Sequence, residues 1–221
     1  MSTLHRAPVH QKLGLLALGG VVAPILFLVL LIVASSLYPG YSHMTQAVSE
    51  LGGAEARYPL VQNFNFLVVG ALVVAFAVGL HGGVGGGSAA GPILVGSFGV
   101  SSGIANALLP CDAGCDFVTL TGILHNLTGL AGFLAGIAGA FVIAPRLRRD
   151  VRWRSLATYS VIAGALMLIA LVAWIGISKA AGVASVNGLL QRTFIVLWLL
   201  WIEVMSLRLL WVARHPTSPA A

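Results

Sequence analysis

Apolar residues in this chain come in long blocks, separated by short polar breaks. Six blocks stand out, at about 13–37, 60–80, 93–109, 117–144, 156–177 and 193–212. Runs of about 18 or more such residues read as membrane-crossing helices, since roughly 20 residues are needed to cover about 30 Å of hydrocarbon. The expected fold is therefore all-α: a polytopic membrane protein, a six-helix transmembrane bundle forming a single integral domain over residues 1–221. The first block follows a short basic head with Arg6 and Lys12. It is far longer than the h-region of a signal peptide, about 7–15 residues, so it reads as an uncleaved first helix with a kink at Pro24.

The breaks between blocks differ in character. Tyr38–Gly53 is aromatic and turn-rich and carries His43, Ser49 and Glu50. His81–Pro92 is rich in glycine and reads as a flexible linker, because a phosphate-binding loop would need a preceding strand and a following Lys-Ser/Thr pair. Pro110–Asp116 holds Cys111 and Cys115. Pro145–Ser155 carries Arg146, Arg148, Arg149, Arg152 and Arg154 against Asp150 alone, and Lys179, Asn187, Gln191 and Arg192 precede the last block. Within the blocks, Gly99 and Gly103, and Gly129, Gly132, Gly136 and Gly139, are spaced for close helix packing.

Composition sharpens this picture at one point. The net charge is +6, which in a soluble chain would raise nucleic acid as a partner; here 58% of residues are hydrophobic and 8% charged, and the basic residues sit beside helices. Acidic lipid headgroups are the matching partner, and no nucleic acid is expected. With the N-terminus inside, Arg6, Lys12, the five arginines of 146–154, Arg208 and Arg214 lie on the inner side. Arg57, Lys179 and Arg192 lie outside, which makes nine against three of the 12 basic residues. This is a positive-inside signal for cytoplasmic termini in a plasma (inner) membrane.

That orientation gathers candidate chemistry on the outer side. Asn65 is about five residues into the second helix, Asn106 about four from the outer end of the third and His125 about eight into the fourth. At about 1.5 Å per residue these depths are within roughly 6–12 Å of the outer surface. A polar group in a membrane segment is by default a functional one. The candidate binding residues are His43, Ser49, Glu50, Asn65, Asn106, Asp112, His125 and Arg192. His125 has Asp112 and Glu50 as expected partners, and reads as a packed neutral imidazole, a proton relay or substrate contact, or a metal ligand. A divalent ion could be held by His43, His125, Asp112 and Glu50, although no HxxxH or HExxH spacing is present and no cofactor is expected. Arg192 reads as an interfacial anchor or as the cation that keeps Glu50 or Asp112 ionised. Glu203 is expected to pair with Arg208. Cys111 and Cys115 are candidates for a disulfide on an oxidising outer face, with free thiols or metal ligation as alternatives.

Tyr41-Ser42-His43, Ser49-Glu50-Leu51-Gly52, Asn63 with Asn65-Phe66, Pro110-Cys111-Asp112, His125 and Gly188-Leu189-Leu190-Gln191-Arg192 occur in that order along nearly the whole chain. With this ordered set the chain resembles a family of bacterial and archaeal six-helix membrane proteins catalogued as domain of unknown function 998, a name that implies the fold and no activity. A fainter likeness is to the Frag/DRAM/Sfk family, whose six-helix members have a Ser-acidic-Gly segment after the first helix and are linked to lipid organisation and lipid-anchor remodelling. The alkaline ceramidase superfamily differs, because it carries an HxxxH in its last helix and this chain does not. The reading that follows is a membrane protein that binds a lipid or other amphiphile at its outer end. The alternatives are a membrane hydrolase or transferase using the same cluster, and a structural subunit of a larger complex or homo-oligomer.

Overall fold

A computed structural model describes residues 3–179 and 186–215, with the backbone alone for 3–9 and 178–179. The side chains of Arg6 and Lys179, the connection 180–185 and the tail from 216 lie outside the described residues. Six long helices are present: α1 (Thr3–Ser36), α2 (Pro59–Gly83), α3 (Ala90–Leu108), α4 (Leu120–Arg149), α5 (Ser155–Lys179) and α6 (Asn187–Arg214). Each contains a stretch long and apolar enough to cross a membrane. A helix meets all its backbone hydrogen bonds internally, which is what hydrocarbon demands. Large apolar side chains such as Leu15, Ile32, Ile93, Ile169 and Val172 point outward, as a lipid-facing surface requires. The chain is a multi-pass membrane protein.

The helices run further than their apolar blocks. Helix α1 begins at Thr3 and passes unbroken through Pro24, α4 continues through Pro145 to Arg149, and α6 begins at Asn187. Arg146, Arg148 and Arg149 are therefore helical, and so are Gln191 and Arg192; both groups were expected in loops. Hydropathy marks where lipid contact ends, whereas helical hydrogen bonding continues into the polar boundary. Cations in the last turn of α4 also suit the negative end of the helix dipole. At the start of α4, Thr119 is the N-cap, its Oγ1 accepting the Gly122 N–H at 3.1 Å.

Each helix packs on its neighbour in sequence, and α6 returns to α1, so the bundle closes as a ring. Helix α3 contains a π-helical segment, Gly99–Ala105, where it crosses α2. There Gly70 lies against Gly99 and Gly103 with backbone touching backbone: a Cβ on Gly70 would come 2.9 Å from the Gly103 Cα. The Gly129–Gly139 face of α4 accepts Ser102, Phe98 and Val95 of α3 in the same way. Trp198 and Trp201 stack at 5.3 Å in the core, while Trp211 lies on the surface with Arg208 over its ring.

The Gly-rich connection is short and held, contrary to the flexible linker expected. Between Gly83 and Ala90 it is gripped by the α4–α5 corner. Arg146 Nη2 donates to the His81 carbonyl at 2.7 Å and to that of Val84, and its Nη1 donates to the Ser88 carbonyl at 3.3 Å. Asp150 Oδ2 accepts the Gly85 N–H at 2.7 Å and pairs with Arg152 at 2.7 Å, while Trp153 Nε1 donates to the Gly83 carbonyl at 3.1 Å. Arg152–Asp150 is the ion pair found among the described residues. Arg208 donates to Ser155 Oγ at 2.8 Å and makes no ion pair with Glu203.

Candidate functional site

At the opposite end, the α1–α2 connection folds into a lid. Its shape follows from a few polar side chains that satisfy its own backbone. Tyr41 Oη donates to the Ala47 carbonyl at 2.8 Å, and Gln46 Oε1 accepts the Ser42 N–H at 2.9 Å. Residues Val48–Gly52 form a 3₁₀ turn. Glu50, third in that turn, reaches back so that its Oε1 accepts the Ala47 N–H at 2.6 Å and its Oε2 accepts from Gln46 Nε2 at 3.0 Å. A carboxylate at that position satisfies amide groups the turn cannot.

Two consecutive residues of α6 fasten the lid. Gln191 Oε1 accepts the Val48 N–H at 2.6 Å. Arg192 Nη1 donates to the carbonyls of His43 at 2.9 Å, Gln46 at 2.8 Å and Gly188 at 2.9 Å, and its Nη2 donates to Tyr41 Oη. Its guanidinium carbon sits 5.6 Å from the Tyr41 ring centre. Gly188 allows this approach, since a side chain there would strike the Gln46 carbonyl. Burial pushes the Tyr41 phenol up to about 12 although Arg192 acts the other way, so Tyr41 stays a neutral donor. Burial and then Arg192 push His43 below the usual imidazole value, so it adds no second cation to the clamp near neutral pH.

Beside the lid lies the loop after α3. Cys111 and Cys115 are joined by a disulfide. Asp112 accepts from Thr119 Oγ1 at 2.6 Å, the Thr119 N–H at 2.8 Å and the Val118 N–H at 3.0 Å. The Thr119 hydroxyl, with these amides, holds its carboxyl below the usual range. Asp112 therefore organises the start of α4. His125 places Nδ1 at 2.6 Å from the Leu109 carbonyl. A carbonyl only accepts, so Nδ1 carries the proton, which in the neutral imidazole leaves Nε2 its lone pair. Glu50 and Asp112 share a cleft with Tyr38, Gly53 and Glu55 that is too tight to admit water.

Beneath the lid, in the middle of the ring, is a partly enclosed cavity. About 50 Å³ of it has room for groups the width of a water molecule. Its walls are Phe27 of α1, Phe66, Val69 and Val73 of α2, Phe98 of α3, Phe133 of α4, and Ile195 and Trp198 of α6; Val48 and Ser49 form the roof. Ser102, Asn106 and Gln191 add polar atoms to this lining. Asn106 Oδ1 accepts from Thr128 Oγ1 at 2.6 Å, and Ser102 Oγ donates to the Gly129 carbonyl at 3.0 Å. The indole N–H of Trp198 is buried and has no acceptor among the described residues. The larger grooves, about 480 Å³ between α2 and α3 and about 330 Å³ between α1 and α6, are more open.

The eight candidate residues thus divide into separate arrangements. His43, Glu50 and Arg192 belong to the lid clamp, and Ser49 and Asn106 face the cavity. Asp112 holds the start of α4, and Asn65 donates to the Phe27 carbonyl at 3.1 Å and to Gln62 Oε1 at 3.3 Å. His125 does not meet Asp112 or Glu50, and Arg192 binds carbonyls, not the carboxylate that was one of its two expected roles. Among the described residues, the metal-ligating side chains that converge are Cys111, Cys115 and His125, with donor atoms within 4.8 Å of one another. The set His43, His125, Asp112 and Glu50 does not come together. Tyr41, Gln46 and Gln191 were not among the expected residues because each also bonds a backbone atom of the lid, and such partners leave no pattern in side-chain spacing.

A family model described as protein of unknown function (DUF998) matches residues 21–208. The chain belongs to that family. The match takes in the lid, the cavity walls and both clamps. No curated protein and no solved structure matches the chain.

Proposed function

We propose that this membrane protein holds an amphiphile, with its apolar tail in the central cavity and its polar end beneath the lid. The observation that carries this is the cavity itself: aromatic and aliphatic walls with Ser49, Ser102, Asn106 and Gln191 among them. Binding sites for small amphiphiles have this character, mostly apolar with a few placed polar groups. The unpartnered Trp198 N–H supports the reading, because a buried donor without an acceptor costs about 1–3 kcal/mol and a ligand oxygen would remove that cost. Five of the six helices and the lid contribute walls, so the ligand would also tie the ring together. The nine-to-three distribution of basic residues supports an outward lid and cytoplasmic termini in a plasma membrane. The ligand would then come from the outer leaflet.

The test is native mass spectrometry of protein extracted with its own membrane lipids. Wild type should retain one amphiphile per chain. Val69→Phe, which fills the cavity, should lose it, whereas Leu166→Phe on the outer surface should keep it. Equal retention by all three proteins would remove this reading.

A further inference from the structure

We infer that Cys111, Cys115 and His125 form a redox-gated site for a thiophilic divalent cation of the zinc class. The donor set is two sulfurs and one imidazole within 4.8 Å. A tetrahedral ion with sulfur at about 2.3 Å and nitrogen at about 2.1 Å needs its donors roughly 3.5–3.8 Å apart. Small side-chain adjustments reach that spacing once the sulfurs are no longer bonded to each other. The Leu109 carbonyl fixes His125 with Nδ1–H as donor, the outer support that metal-bound histidines commonly have. This leaves Nε2 as the nitrogen able to ligate.

Hydrogen bonds beside the disulfide also hold the loop. Cys111 O accepts the Ala54 N–H at 3.3 Å, Cys115 N donates to Asp112 O at 2.9 Å, and Asn126 Nδ2 donates to Cys115 O at 3.1 Å. Gly114 and Cys115 both take left-handed conformations, with φ of 61° and 55°, which turns the chain back toward Cys111. Reduction therefore leaves both thiols facing the same small space. Cys111 and His125 are buried, and two thiolates neutralise a divalent ion, so the loaded site brings no net charge to the membrane edge. The Asp112 carboxylate is already held by Val118 and Thr119, so three protein donors leave a fourth position open.

The gating step balances simply. A dithiol reductant gives two electrons to the Cys111–Cys115 bond, which breaks to two thiols that take up two protons, and the reductant leaves as its own disulfide. The cation then displaces both thiol protons and gains two thiolates and the imidazole lone pair.

Full-length protein in detergent, reduced with a water-soluble phosphine and desalted without oxygen, is titrated with zinc and separately with cadmium. Elemental analysis should give about one ion per reduced chain and none for the oxidised chain. X-ray absorption of the cadmium form should show two sulfurs and at least one nitrogen. His125→Gln should bind more than about 100-fold more weakly, exceeding the roughly 10–100-fold loss expected of a merely supporting residue. Equal binding by oxidised protein, no binding by reduced protein, or a shell of sulfur alone would each overturn the inference. The absorption result needs no variant, so a folding defect in His125→Gln does not protect it.

Discussion

The two ends of the bundle fasten a connection in the same way and leave different things behind. At one end Arg146 grips the α2–α3 connection by its carbonyls, and Asp150 takes the Gly85 amide. At the other, Arg192 grips the lid by its carbonyls, and Glu50 takes the Ala47 amide. In both, a guanidinium from a helix end supplies donors to a turn whose carbonyls cannot pair within the turn. The first clamp is closed by an ion pair between Asp150 and Arg152 and by a buried tryptophan, Trp153. The lid clamp has neither, and it covers a cavity. The first arrangement is a staple; the second is a cover.

The largest difference should appear on removing the arginines. Arg146 is 8% exposed and keeps three carbonyls satisfied, so Arg146→Ala should cost more than about 3 kcal/mol and lower the melting temperature of the whole bundle. Arg192→Ala should cost about 2 kcal/mol, because the lid rim is partly solvated. Its effect should be local: hydrogen exchange accelerates over 41–50 and stays unchanged over 84–89. A uniform loss of protection in both variants would mean that the ends are one cooperative unit.

A smaller contrast concerns acid. Burial raises the Asp150 carboxyl, but its bonds to Arg152 and the Gly85 amide outweigh that and leave it at about 2. A depressed carboxylate contributes stability above its unfolded value, near 4, and loses it as pH falls through its folded value. Wild type should therefore lose about 1–2 kcal/mol between about pH 4 and 2, with solvent screening included, and Asp150→Asn should lack this step. Thermal melts across that range decide it. The smallest effect is expected for Glu50→Gln. Its amide oxygen can still accept the Ala47 N–H, so melting should shift by less than about 1 kcal/mol. A large loss there would show that the Glu50 charge itself closes the lid.

The helices, their order and the close approach at Gly99 and Gly103 were legible in the sequence, because apolar length and small-residue spacing are local signals. Helix count also placed lid, cysteine loop and His125 at one end, because alternate connections of a six-helix bundle emerge on the same side. Side-chain partners were not legible. Arg192 and Asp112 look like one half of an ion pair until the backbone is seen, and what satisfies them is carbonyl and amide groups that every residue carries. The Asn187–Arg192 helix start was lost for a related reason: polar residues at a membrane edge do not register in hydropathy. The cavity was invisible because its walls are ordinary apolar residues from five helices, and only packing shows where they fail to meet.

The cavity beneath the lid is proposed to hold an amphiphile. Photocrosslinking with an amphiphile carrying a diazirine on its apolar chain, mapped by peptide mass spectrometry, tests it most directly. Adducts should concentrate on 98–106 and 191–199 and fall when Val69→Phe fills the cavity. Adducts confined to outward residues such as Ile169 and Val172, unchanged in that variant, would contradict it.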